Sequence, residues 1–308
     1  MGTAVRFTVA ILWLLGLWGA MPARAEMPQS HCKRWSGFHA PVGNERFGRT
    51  LLRNSDLLNG VTWIGVGGAI HFGADPTERW DGTNGFDRGI RDGLAASSRS
   101  GRDDAGTASD VLLSLTVAAP LLADVAVRSL WMDGDCDQAL EITSDWVESL
   151  GFIWMLTEAT KKIAGRERPY GRECGSDPGY SGGCSDESRF ESFFSGHASM
   201  SAGAAALLCK DAIHRNVWGE SRLTRSLVCG LGVGASLATG TLRMVADKHW
   251  ATDVLVGWAV GGLVGWFDLP GPFDLLRFRY PRNGPDVEGA FLPTVGRDEV
   301  GLTLSMHF

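Results

Sequence analysis

The stretch that decides the fold is TLRMVADKHWATD, residues 241–253, because one apolar helical segment leads into it and another follows it. Arg243 and His249 are six positions apart, which is about 600° of helical rotation, so in one continuous helix they would face different ways. We therefore predict a break between them. Asp247 is the predicted N-cap of a new helix that begins near Lys248, and this break returns Arg243 to the side of His249.

An acidic residue follows this histidine at helical spacing. Asp253 comes four residues after His249, so both lie on one helix face with about 5 to 6 Å between their Cβ atoms. There the carboxylate can accept a hydrogen bond from one ring nitrogen and leave the other nitrogen free. A surface pair of His and Asp without a function is the alternative.

A second cluster, FFSGHAS at residues 193–199, opens a run of small residues. Ser195 is a predicted helix N-cap, and Gly196 allows a ligand to approach the backbone closely. A phosphate here would meet free amide groups and the positive end of the helix, within reach of His197. An ordinary capped helix with an incidental histidine is the alternative.

A third cluster, KKIAGRERP at residues 161–169, lies at the end of a helical segment. Lys161 and Arg168 are seven residues apart and project from one face about 10 Å apart along the axis. Pro169 biases Arg168 out of helical geometry and ends the element. The two cations can hold a multiply charged anion, whereas the alternative is a solvated basic helix end.

Apolar periodicity predicts an all-α protein around these clusters, and its body has no alternating strand pattern. The uncharged stretches 57–74 and 226–242 are barely long enough to span a membrane, so buried helices of a bundle are favoured over short spans. After Pro270 the pattern changes to alternation, which predicts a short C-terminal β-hairpin that pairs 290–295 with 300–308. The predicted helices are 60–71, 111–131 with an interruption near Pro120, 145–164, 198–215, 226–243 and 252–267.

The composition excludes several classes of protein. The 308 residues include 29 Lys and Arg against 35 Asp and Glu, so the chain has no positive field that would attract nucleic acid. With 44% hydrophobic and 21% charged residues it is neither a disordered tail nor a strongly apolar polytopic membrane protein.

The N-terminus has the order of features of a secretory signal peptide. Arg6 precedes an uncharged run at 7–21, and the small-residue pattern Ala-Arg-Ala follows at 23–25. We predict cleavage after Ala25, which leaves 27 cations against 35 anions, and we expect a periplasmic or secreted protein. An uncleaved membrane anchor is the alternative, although the run is short for one.

The cysteines fit an oxidising compartment. Their even number is consistent with full pairing, and the most probable single bridge joins Cys174 to Cys184 across a Gly- and Ser-rich loop. Cys209 and Cys229 are either buried thiols or a second bridge. No Cys-x-x-Cys occurs, so a zinc or dithiol site has little support. The six residues are Cys32, Cys136, Cys174, Cys184, Cys209 and Cys229.

The three clusters occur in the order Lys-x6-Arg-Pro, Ser-Gly-His and Arg-x5-His-x3-Asp. This order resembles the type 2 phosphatidic acid phosphatase superfamily, which includes bacterial acid phosphatases and vanadium haloperoxidases, over roughly residues 110–268. The chain departs from the usual family pattern at Phe194 and Leu242, where the family has Pro and a small residue, and this affects the expected loop shape more than the chemistry. The resemblance implies an all-helical bundle with the three motifs at one end.

The resemblance also implies residue roles and a domain organisation. His249 would be the nucleophile that forms a phospho-histidine, Asp253 would orient its ring, and His197 would act as general acid and then as base. No metal and no cofactor are expected. The phosphoryl oxygens would be held by Lys161, Arg168, Ser195, Gly196 and Arg243. The expected divisions are the signal peptide 1–25, an N-terminal extension with the first helix at 26–108, the core at 109–270 and the tail at 271–308.

The activity that the resemblance implies is metal-independent hydrolysis of phosphomonoesters. The substrate would be a lipid phosphate such as phosphatidic acid, an isoprenyl pyrophosphate or a soluble phosphate ester. If the protein is associated with a membrane, its site would face the periplasm. A vanadate-dependent haloperoxidase and a non-catalytic periplasmic anion-binding protein are the alternatives.

Overall fold

The structure is a computed structural model of the chain. It describes residues 55–76, 80, 83–219, 221–267 and 271, together with the backbone of three strands at Arg277–Arg279, Glu288–Val295 and Val300–His307. The predicted signal peptide at residues 1–25 lies outside the described residues.

Helices make up most of the described chain, so the prediction of a helical protein is confirmed for that part. Two short 3-10 turns, Pro169–Arg172 and Glu187–Phe190, lie in the connection that follows the fourth helix. The α-helices are α1 Ser55–Gly73, α2 Gly85–Leu94, α3 Arg99–Leu121, α4 Cys136–Ala164, α5 Gly196–His214, α6 Arg222–Val245 and α7 Ala251–Trp266.

Six of these helices correspond to the predicted ones, and two of them begin nine or more residues before the apolar pattern. α3 begins 12 residues before position 111 and α4 begins nine residues before position 145. Both first turns are polar, and each has a side-chain cap. The Ser98 hydroxyl oxygen accepts a hydrogen bond from the amide of Gly101, and the Asp135 carboxylate accepts one from the amide of Gln138. Capping therefore extends these helices beyond the residues that they bury.

The interruption predicted near Pro120 is present as a change of winding. α3 ends at Leu121 and continues into a π-helical segment, Leu122–Asp133, which ends at Gly134 in the left-handed conformation. Proline has no amide hydrogen to donate, so the regular bonding pattern of α3 is lost at this point.

The core lies where α4 and α5 meet. α4 packs against α1 on one side and against α5 on the other, while α5 also packs against α6 and α7. The indole of Trp146 is buried and donates a 2.9 Å hydrogen bond to Asp211. The main apolar cluster consists of Ile142, Trp146, Ala204, Leu207, Leu208 and Val217.

A stripe of glycines brings α7 into backbone contact with α5. Gly257, Gly261 and Gly265 recur every four residues, and a Cβ at each would collide with the α5 chain or the residue before it. At Gly257 that atom would lie 2.7 Å from the carbonyl oxygen of Ser195. The stripe therefore fixes the Ser-Gly-His segment directly against the helix that follows His249.

Two of the described helical segments are long and apolar enough to cross a membrane, Arg99–Asp133 and Arg222–Val245. Only 11% and 28% of the residues in their most apolar windows are buried. On α6 the exposed leucines 223, 227 and 231 recur every four residues, which places them on one face. The second segment coincides with the uncharged stretch 226–242, whereas α1, at the stretch 57–74, is not among these segments.

Three strands follow the helices. β1 (Arg277–Arg279), β2 (Glu288–Val295) and β3 (Val300–His307) pair antiparallel in the order β1-β2-β3. The turn at 296–299 that would join β2 to β3 lies outside the described residues, so the C-terminal hairpin stays a prediction.

Two disulfides link described cysteines. The predicted bridge between Cys174 and Cys184 is confirmed, and the question left open for Cys209 and Cys229 is resolved in favour of a bridge that joins α5 to α6. Cys136 is also disulfide-bonded, and none of the cysteines in the described part of the chain is free.

Candidate active site

The turn between Arg243 and His249 is present, but Asp247 does not cap the following helix. α7 begins at Ala251, and Asp247 instead takes the left-handed conformation, with φ of 57°. Its buried carboxylate is held by other side chains, so the predicted N-cap role is wrong. The amide of Lys248 donates to the carbonyl of Arg243 at 3.1 Å, and this bond closes the reversal that the spacing predicts.

The ring of His249 is buried and fixed by the backbone. Its Nδ1 lies 2.8 Å from the carbonyl oxygen of Ser192, which can only accept, so Nδ1 carries the hydrogen. The Asp253 carboxylate oxygen Oδ2 lies 3.7 Å from the same nitrogen. The orienting contact expected from Asp253 is therefore long, and Ser192, which the sequence did not indicate, makes the hydrogen bond. Nε2 is left as the basic nitrogen.

The carboxylate of Asp253 is buried and has several partners. It accepts hydrogen bonds from the Ser192 hydroxyl at 2.6 Å and the Trp250 amide at 2.9 Å, and it forms an ion pair with Arg166. Burial raises the pKa of Asp253 to about 6, while the Arg166 guanidinium opposes that rise.

Arg166 lies inside the first motif and was missed by the sequence reasoning. It is buried, pairs with both Asp253 and Asp87, and lies 4.6 Å over the ring of Trp80. Asp87 also accepts a hydrogen bond from the amide of Thr252 at 2.9 Å. These contacts connect the KKIAGRERP segment and α2 to the start of α7. No local sequence pattern predicts them.

The Ser-Gly-His segment begins α5 as predicted. The hydroxyl of Ser195 caps the helix by accepting from the amide of Ala198 at 3.4 Å, and Ser195 is buried. A Cβ placed on Gly196 would lie 3.8 Å from Nζ of Lys161, so this cation faces the open N-terminal turn. Lys161 is anchored by Glu158 at 2.6 Å, and burial lowers the pKa of its ammonium group.

Arg168 follows the end of α4 in extended geometry, as the neighbouring Pro169 requires. Its Nε donates to the carbonyl of Ser188 at 2.8 Å, and its Nη2 donates to that of Glu191 at 3.3 Å. These backbone contacts fix the guanidinium, while its Nη1 forms no hydrogen bond to the described residues.

His197 and Arg243 meet at one carboxylate, that of Asp110 on α3. His197 Nε2 lies 2.7 Å from Asp110 Oδ1, and Arg243 Nη1 donates to the same oxygen at 3.1 Å. Arg243 Nη1 also donates to the Ser109 hydroxyl at 3.3 Å. Asp110 was missed by the sequence reasoning. Its one signal was its place as the last charged residue before the apolar part of α3.

The electrostatics of the site favour neutral imidazoles. Burial, followed by the charges of Arg168, Arg243 and Lys161, lowers the pKa of His249 well below its usual 6.5. Burial also lowers the pKa of His197, while its hydrogen bond to Asp110 partly restores that pKa. Since each cation depresses the pKa of the same buried ring, the motif of Lys161 and Arg168 and the motif of Arg243 act on one site.

The eight residues predicted for the site therefore lie in one region at one end of the helices. The region offers three cations, a helix N-terminus and two imidazoles, which is a set of groups suited to a tetrahedral oxyanion. Among the described residues, no group of three or more His, Cys, Asp or Glu side chains is arranged to hold a metal ion.

Comparison with known proteins finds a family model that matches the part of the chain that carries the predicted site residues. Residues 145–274 match the family model described as PAP2 superfamily, and this range contains all eight predicted site residues. Phospholipid phosphatase 2 of Bos taurus is 34% identical over 102 residues, which cover 33% of this chain and 35% of that protein. The chain thus spans about a third of the length of this curated relative. No solved structure matches the chain. Residues 145–274 carry the three motifs in family order, and over this range the chain is similar to the PAP2 superfamily.

Proposed function

We propose that this protein is a metal-independent phosphatase that hydrolyses phosphomonoesters through a phospho-histidine intermediate. The observation that carries the proposal is the state of His249. Its ring is buried, its Nδ1 is engaged by the Ser192 carbonyl, and its pKa is depressed by burial and by three cations, of which Lys161 and Arg168 come from another motif. A neutral imidazole with a free Nε2 inside a cationic site is a nucleophile ready for a phosphate dianion.

The first chemical step transfers the phosphoryl group to the protein. The lone pair on Nε2 of His249 forms a bond to phosphorus, the bond to the ester oxygen breaks, and protonated His197 gives its proton to that oxygen. The positive charge that develops on the His249 ring is stabilised by the Ser192 carbonyl and by the Asp253 carboxylate 3.7 Å away. Lys161, Arg168 and Arg243, with the amides that begin α5, compensate the charge on the phosphoryl oxygens.

The second step releases phosphate. Neutral His197 takes a proton from water, the water oxygen bonds to phosphorus, and the phosphorus–nitrogen bond breaks, which returns the electron pair to His249. His197 ends the cycle protonated and ready for the next ester.

We propose a lipid phosphate as the substrate class and a membrane-associated protein with its site facing the periplasm. The relative is a phospholipid phosphatase by its printed name. The exposed leucines of α6 and a largely apolar cavity of about 520 Å³ that extends from Ala202 to Phe267 between α5, α6 and α7 support contact with acyl chains.

The test uses protein purified from the complete chain, with p-nitrophenyl phosphate as substrate and EDTA present. We expect activity that persists after metal removal and is inhibited by vanadate, and we expect His249→Ala to lose at least about 10³-fold in kcat. His214→Ala, an exposed histidine at the far end of α5, is the matched control and should retain activity.

An acid-labile phosphoryl group should be trapped on wild-type protein and be absent from His249→Ala. Loss of activity in EDTA with rescue by zinc would contradict the mechanism, and bromide oxidation with added vanadate would favour a haloperoxidase instead. The substrate class is tested by comparing dioleoyl phosphatidic acid, an isoprenyl pyrophosphate and glucose 6-phosphate. Extraction from cells with and without detergent tests the membrane association.

A further inference from the structure

The turn that brings Arg243 and His249 together depends on an unusual backbone conformation at Asp247. Among the described residues, only Asn216 and Asp247 combine a side chain with a positive φ. Glycine takes this conformation without a steric penalty, whereas a residue with a Cβ needs local support. Asp247 lies four residues after Arg243 and two before His249, so its conformation determines how both side chains are aimed.

The support for Asp247 comes from Arg91 on α2. Arg91 Nε donates to Asp247 Oδ1 at 2.7 Å and Arg91 Nη2 donates to Oδ2 at 2.8 Å, which is a bidentate pair. The Asp247 side chain is fully buried, and that of Arg91 is 17% exposed. Arg91 also contacts Glu173 at 3.2 Å. Hydrogen bonding to Asp247 raises the pKa of Arg91 above its ordinary value.

A third group completes this arrangement, and it comes from the loop closed by Cys174 and Cys184. The hydroxyl of Tyr180 donates to Asp247 Oδ2 at 3.1 Å. Tyr180 is itself held by Arg102 of α3, whose guanidinium lies 3.7 Å over its ring and donates to its carbonyl at 3.0 Å. Two separate parts of the chain, α2 and the loop, therefore converge on one carboxylate that touches none of the residues assigned to the reaction.

We propose that Arg91 is a positioning residue for the phosphatase reaction, because its pairing with Asp247 holds the turn that aims His249 and Arg243 into one pocket. The inference rests on the proposed function. Without Arg91 the buried carboxylate would lose its charge partner and would turn towards water, which would open the reversal. A glycine at position 247 would need no such partner, since it adopts the left-handed conformation freely.

The experiment is a cycle of four proteins: wild type, Arg91→Ala, Asp247→Gly and the double variant. We measure kcat and KM for p-nitrophenyl phosphate, with active sites counted from the initial burst of p-nitrophenol. Arg91→Ala should lower kcat per active site on the order of 10²-fold, the loss typical of small displacements of reacting groups. Asp247→Gly should stay within a few-fold of wild type, and Arg91→Ala should cost little in that background.

The matched control is Arg88→Ala, on the same helix, because Arg88 is exposed and its side chain forms no hydrogen bond or ion pair with the described residues. Equal losses from Arg91→Ala in both backgrounds would overturn the proposal. So would a loss confined to the number of active sites with kcat per site unchanged, since that is the result of lower stability alone. If the wild type shows no turnover, the proposed function fails. The positioning role of Arg91 is then tested by the Kd of orthovanadate in the same four proteins. Arg91→Ala should weaken binding in the wild-type background and should have little effect in the Asp247→Gly background.

Discussion

Asp110 and His197 share a 2.7 Å hydrogen bond between α3 and α5, and Arg243 donates to the same carboxylate oxygen. The bond joins the proposed general acid to a fixed negative charge, which favours the protonated ring that the first step needs. The same charge neutralises Arg243 while no phosphate is bound. Asp110 therefore supports proton transfer by His197 and competes with the phosphate for Arg243.

These two effects predict opposite changes in Asp110→Asn. The rate should fall about tenfold near neutral pH, because His197 loses the partner that raises its pKa. Binding of orthovanadate should become tighter, because Arg243 is no longer paired. Steady-state kinetics and vanadate inhibition measure the two quantities. Asp103→Asn, an exposed position on α3 beside Arg99, is the control and should change neither. Weaker vanadate binding in Asp110→Asn would contradict this role.

The pH profile should be a bell with its optimum on the acidic side. His249 must be neutral to attack, and its pKa is well below 6.5. Activity should therefore rise with pH in the acidic range, well below pH 6.5. His197 must be protonated in the free enzyme, and its pKa is also lowered from 6.5, so kcat/KM should fall as pH rises towards neutrality. Asp110→Asn should move this second limb to lower pH. A rate that is flat from mildly acidic to mildly basic pH would contradict the assignment.

The role of His197 as an acid predicts that the leaving group decides the cost of removing it. In kcat/KM, which reports the step that releases the alcohol, His197→Asn should lose about 10²-fold with p-nitrophenyl phosphate, whose phenolate leaves readily without a proton, and about 10⁴-fold with an alkyl phosphate. The two substrates serve as each other's control, since both occupy the same site. Equal losses with both esters would show that His197 has no part in protonating the leaving oxygen.

Two adjacent glycines on α7 should respond in opposite ways to alanine. A Cβ at Gly261 would collide with the backbone of Ser199, so Gly261→Ala should destabilise the protein by about 1–3 kcal/mol and displace the Ser-Gly-His segment. Gly262 has open space at that position, so Gly262→Ala should be neutral or stabilise by about 0.5–1 kcal/mol. Thermal unfolding and kcat measure both effects, and equal melting temperatures would contradict the close packing of α5 on α7.

Much of the helical body was predictable because apolar periodicity marks helices that bury a face. α2 was not predicted, since its sequence GFDRGIRDGL has interior glycines and many charges. Its links to the rest of the chain are ionic, with Asp87 bound to Arg166 and Arg91 bound to Asp247. Such partners lie 79 and 156 residues away, so no local pattern announces them.

Motif spacing predicted residues that the structure brings into one region, but it did not predict their contacts. The bond from His249 to Ser192 joins a ring to a backbone carbonyl, which every residue possesses, so residue type gives no signal. Asp247 was expected to cap a helix because aspartate commonly does so. Its pairing with Arg91 overrides that local preference, and the helix begins at Ala251 instead.

The bridge between Cys209 and Cys229 ties together the two helices that carry His197 and Arg243. Covalent attachment limits how far these helices separate during thermal fluctuations, so the anion-binding groups stay paired when outer parts of the molecule loosen. Recombinant production should therefore use a secretory route or an oxidising host strain. Glutathione-rich bacterial cytosol would yield a product without this bridge, and the proposed activity measured on that product would understate that of the oxidised protein.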